Sequence, residues 1–129
     1  MQELEKLEIY NIAMKIGELV WNEVSKWDNF SKYNLGTQLV SAADSIANNI
    51  SEGYGRYHFK ENKQFCYYAR GSMFETYTEL TKAKNRNLVT EETYKIFLNH
   101  LSFLKPKLNA YIKSIGLNYI KKESNEKDF

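Results

Sequence analysis

One cysteine and one proline occur in 129 residues, and each scarcity removes a class of explanations. The lone thiol, Cys66, excludes an internal disulfide framework and a cysteine-rich zinc site, and it favours a reducing, cytoplasmic setting. Set among aromatic residues in a helical stretch, it reads as a small core or interface residue, not as a nucleophile. With only six glycines beside the proline, the chain has few places to turn, which favours long helices and short connections. No window approaches the roughly 18 unbroken apolar residues of a membrane span, and charges appear at once in Glu3, Glu5 and Lys6. Neither export nor membrane insertion is expected. An excess of one charge is missing too: 18 basic residues face 16 acidic ones, so a net +2 gives only a weak field for attracting phosphate. Only a local patch could serve that purpose.

What the chain has in surplus is aromatic side chains, at 15% with ten Tyr and seven Phe. Its length suits one domain with one continuous core. From residue 7 to about residue 26, Ile9, Ala13, Ile16, Val20 and Val24 recur at helical spacing, with Gly17 marking a close helix contact. Trp27, Asp28, Asn29, Phe30 and their neighbours up to Asn34 interrupt the period and predict a packed loop. A second helix follows from Leu35 or Gly36, with Leu39, Ala43, Ile46 and Ile50 on one face. It ends in Glu52, Gly53, Tyr54, Gly55 and Arg56, where either glycine suits a left-handed cap. A third helix is predicted over 59–86 and a fourth over 91–115, with Thr90 as N-cap, a kink at Pro106 and a stop at Gly116. Residues 117–120 suit one further docked turn. The result is an all-α, antiparallel up-down-up-down four-helix bundle, its domain taken as residues 1–117 and residues 118–129 as a polar C-terminal tail.

Three stretches carry more than periodicity: Ala42-Ala43-Asp44-Ser45-Ile46, Asn49-Ile50-Ser51-Glu52-Gly53-Tyr54-Gly55-Arg56, and Ala69-Arg70-Gly71-Ser72 followed by Glu75. In these the chain resembles the four-helix bundle family encoded in intervening sequences of bacterial 23S ribosomal RNA genes. The resemblance implies a small cytoplasmic bundle that assembles into rings, as a pentamer. It also implies kinship with the accessory protein of diversity-generating retroelements, a basic ring that engages reverse transcriptase and nucleic acid. His58 stands where the family often has a capping Ser, and Asn62 where an aromatic or aliphatic residue is common, so a looser start to the third helix is expected.

Asn49, Glu52 and Arg56 near the end of helix two, and Arg70, Ser72 and Glu75 on helix three, form a candidate polar cluster if the two helices run antiparallel. Such a cluster serves as a satisfied core network, as a subunit interface or as a ligand site. No catalytic residue, metal ligand or cofactor is assigned. The histidines His58 and His100 lack a carboxylate three residues earlier, which excludes a ferritin-like di-iron site. The Gly53-Tyr54-Gly55-Arg56 run follows a helix and lacks the Lys-Ser/Thr sequel of a phosphate loop. Candidate nucleic-acid contacts are Lys82, Lys84 and Arg86 closing helix three, and Lys105, Lys107 and Lys113 in an acid-free stretch of helix four. The surplus aromatics exceed what one bundle core holds, which points to subunit association. The function expected is a non-enzymatic homo-oligomeric scaffold or adaptor. The alternative is an RNA- or DNA-binding accessory protein that repeats a basic surface around a ring.

Overall fold

The computed structural model describes residues 1–117. The polar tail, and all but Leu117 of the extra turn expected over 117–120, lie outside the described residues. A short helix α1 (Gln2–Glu5) precedes α2 (Glu8–Val24), and a one-turn helix α3 (Asn29–Ser31) leads through a π-helical turn (Lys32–Gly36) into α4 (Thr37–Tyr54). Two longer helices, α5 (Phe59–Asn85) and α6 (Glu91–Ser114), complete the molecule, and the described residues contain no strand. The four long helices form an antiparallel up-down-up-down bundle. Each packs on the next in chain order, and α6 closes the ring against α2.

The helices α2 and α4 bury the stripes that their periodicity predicts. Ile16, Leu39, Ile46, Leu80, Leu104 and Leu108 are fully buried in one continuous core. Burial of each such side chain is worth about 1.5–3 kcal/mol. The most extensive contact is between α4 and α5, where Ala42, Ala43 and Ala47 are buried on one helix and Ala69 and Ala83 on the other. Small residues let the backbones approach. Gly17 leaves room for the Asp44 side chain of α4, because a Cβ there would stand 2.9 Å from Asp44 Oδ1.

Two local expectations are corrected. The connection after α2 is shorter than a loop ending at Asn34, because Asp28 caps a new helical turn by accepting from the Ser31 amide at 3.1 Å. The chain then continues helically through the π turn, where Gly36 fits against Val24: a Cβ on Gly36 would lie 2.7 Å from Val24 Cγ1. Neither Gly53 nor Gly55 takes the left-handed conformation, since Gly116 alone among the glycines has positive φ, at 78°. Gly53 is needed for room. A Cβ there would lie 2.9 Å from the carbonyl oxygen of Asn62 and from Phe65 Cβ on α5.

The remaining helix ends follow the sequence. Asn87 turns the chain out of α5 with φ at 61°, and Thr90 accepts the Thr93 amide at 3.0 Å to start α6. His58 gives α5 no side-chain cap. The helix α6 runs unbroken through Pro106, and Gly116 ends it against the Phe59 ring.

Candidate interaction surfaces

The six polar residues singled out on α4 and α5 do not form one network. Arg56, just past the end of α4, binds Glu52 at 2.6 Å, approaches Glu61 at 3.9 Å and lies 4.8 Å from the Phe65 ring centre. Arg70 turns to the opposite side of α5, donating to Asn109 Oδ1 on α6 at 3.1 Å and covering the Tyr67 ring. Asn49 folds back on its own helix to the Ser45 carbonyl at 2.8 Å. Ser72 is half-buried and Glu75 is exposed, and among the described residues no hydrogen bond or ion pair joins either to the two arginines. Helix geometry explains the separation, since residues five apart stand about 140° apart around an α-helix. Arg70 faces α6, and Glu75 faces outward.

The buried carboxylate of α5 is instead Glu79, 5% exposed. Its Oε1 meets Lys82 Nζ at 3.3 Å, while its Oε2 has no hydrogen-bond partner among the described residues. Beside it on the same helix, buried Thr76 donates to the Ser72 carbonyl at 2.7 Å. The signal for Glu79 lay in the sequence, four residues after Glu75 and next to buried Leu80. Cys66 is fully buried, and loss of hydration pushes its thiol up to about 11, which holds it neutral and unreactive near neutral pH. Among the described residues, no group of three or more His, Cys, Asp or Glu side chains is placed to hold a metal ion.

Several of the basic residues are engaged within the chain. Lys82 pairs with Glu79, Lys84 with Glu91 at 3.2 Å, and Lys107 with Glu8 at 3.0 Å. Lys105 caps the Phe74 ring at 5.3 Å, while Arg86 and Lys113 are exposed without an anionic partner among the described residues. Antiparallel packing also divides the set. Lys84 lies at the α6 N-terminus beside Glu91, whereas Lys113 lies near its other end, about 33 Å away at 1.5 Å per residue. On one protomer these cations do not form one patch.

Exposed aromatic side chains line three separate grooves. Phe74 is 53% and Tyr77 47% exposed, and both line an apolar groove between α5 and α6 with Met73, Leu98 and Leu101. Phe103, 54% exposed, lines a second groove between α2 and α6 with Ile12 and His100. Trp21, 60% exposed, shares a third with Tyr33 and Val40 between α2 and the start of α4. None of these rings is held by the core. Each would lose water-exposed apolar area on association, at about 25 cal/mol per Å².

The family model described as 23S rRNA-intervening sequence protein matches residues 5–110. The chain belongs to that family. The match takes in α2, α4, α5 and most of α6, so the helices that carry the exposed aromatics lie within the family's shared architecture. A solved structure described as a protein with unknown function from the S23 ribosomal protein family, from Bacteroides thetaiotaomicron, is similar at a TM-score of 0.71. It shares 16% identity, and the alignment covers 80% of this chain and 96% of that one, so the likeness is one of fold. No curated protein matches the chain. Among the described residues of this family member, no helix is long and apolar enough to cross a membrane.

Proposed function

We propose that this chain is a non-enzymatic scaffold or adaptor that works as a homo-oligomer in the cytoplasm, without a cofactor, as a ring of five copies. The observation that carries the proposal is the set of half-exposed aromatics on otherwise closed helices, Trp21, Phe74, Tyr77 and Phe103 above all. Aromatic residues are enriched in the buried centres of protein interfaces, where they bury large areas at little entropic cost. The bundle over residues 1–117 is the assembling unit. Within that unit the Glu52–Arg56 contact lies at the end of α4 and the Arg70–Asn109 contact ties α5 to α6.

Nucleic-acid binding is the second reading. It is favoured by the exposed cations Arg86 and Lys113, which have no anionic partner among the described residues, and which a ring would repeat and so convert weak contacts into avidity. The deciding experiment is the absolute mass of the purified chain by light scattering, at low and high salt, alone and with mixed cellular RNA. A multiple of the chain mass that ignores RNA is the expected result. A monomer overturns the scaffold, and a mass that rises with RNA only at low salt puts nucleic-acid binding in its place.

A further inference from the structure

We infer, resting on the homo-oligomeric assembly proposed above, that the acidic groove between α2 and α4 docks the basic, aromatic groove between α5 and α6 of a second copy, head to tail. The acidic side is a small notch at Gly17, where Glu18 on α2 and Asp44 on α4 stand together with Met14 and Asn48. Neither acid has a hydrogen bond or ion pair among the described residues, and no lysine or arginine lines the notch. Asp44 packs over the α2 backbone at Gly17. Partial burial and the Glu18 charge push its carboxyl up, as expected of two like charges with no counter-ion.

The opposite edge of the bundle has the complementary character. Lys105 lies over the exposed Phe74 ring in the α5/α6 groove. Lys95 falls on the same side of α6, on the line through Leu98, Ser102 and Lys105 set by steps of three and four residues. Both lysines are exposed, and neither has a carboxylate partner among the described residues. The axial register also fits. The Lys107–Glu8 contact aligns antiparallel α6 and α2 so that Glu18 lies level with Phe97, between Lys95 and Lys105. A copy docked without axial sliding therefore lays α6 along α2, with Lys95 about 3 Å and Lys105 about 12 Å along the axis on either side of Glu18, and lays α5 with Phe74 and Tyr77 along α4. A two-fold dimer through either groove would place like charges together, which opposes that alternative. Two different faces make the contact heterologous, so it propagates and closes into a ring only where the rotation permits.

Charge reversal tests the pairing. One variant carries Glu18→Lys and Asp44→Lys, the other Lys95→Glu and Lys105→Glu, and circular dichroism checks that each keeps its helix content. Light scattering should show each alone at the mass of one chain and an equal mixture above that mass, because each reversed face then meets its complement on the other variant. A single chain carrying all four reversals restores every contact and should regain the wild-type mass, since alternating variants cannot close an odd ring. If a reversed variant does not fold, the isosteric pair Glu18→Gln and Asp44→Asn serves instead, with an expected weakening of association of at least tenfold. Wild-type chain that is monomeric overturns both this inference and the proposed assembly. Wild-type chain that assembles while the reversed or isosteric variants assemble equally well, or whose chain with all four reversals stays at the mass of one copy, overturns the pairing alone and places the contact on other faces.

Discussion

At the scale of single residues, glycine is where local physics is most sharply divided. Gly53 has α5 against it: a Cβ would stand 2.8 Å from Asn62 Oδ1 and 2.9 Å from the Asn62 carbonyl oxygen, and backbone cannot yield cheaply. Gly71, in the middle of α5, has nothing within 4 Å of the same position. Gly53→Ala is therefore expected to destabilise the fold by about 1–3 kcal/mol through overpacking. Gly71→Ala is expected to stabilise it by about 0.5–1 kcal/mol, by removing backbone entropy from the unfolded chain and restoring helix propensity. Urea unfolding of both variants checks the pair, and equal shifts of the same sign would refute the contrast. The sequence marks both positions as glycine and says nothing of their neighbours. That is why Gly53 reads there as a left-handed cap, although its backbone is helical and its service is clearance.

At the scale of elements, the long helices were legible because each carries a stripe whose period survives packing. Where polar chemistry replaced periodicity, legibility failed: the turn at Asp28 and the π-helical entry into α4 depend on one cap and on the fit of Gly36 beneath Val24. The starts of α5 and α6 show what such caps contribute. Thr90 caps α6 through the Thr93 amide, whereas the His58 side chain makes no capping hydrogen bond to α5. Thr90→Ala should cost about 1 kcal/mol, and His58→Ser should add up to about 1 kcal/mol by supplying the missing acceptor. Thermal unfolding measures both. A stabilised Thr90→Ala or a destabilised His58→Ser would show that these ends are held by packing and not by capping.

At the scale of the whole molecule, the candidate site was the least legible part, since helical spacing places side chains around one helix but does not choose their partners on the next. Arg70 found Asn109 instead of Glu75, and Lys107 found Glu8. The acid pair of Glu18 and Asp44, which no spacing along one helix reveals, arises from the close crossing at Gly17. In the proposed contact that pair would make assembly dependent on pH. Asp44 has its carboxyl pushed up in the single chain by burial and by Glu18, the one other titratable group lining its notch. A lysine from a second copy would push it back down. The carboxyl pKa is then lower in the assembly than in the free chain, so contact strength is full above the free-chain value and is lost as pH falls through the lower, assembled value. Light scattering from neutral pH down through the carboxylate range should show the mass falling before helix content does. In the Glu18→Gln and Asp44→Asn variant the residual mass should not change over that range. A mass independent of pH in the wild-type chain would show that the acid pair stays in water.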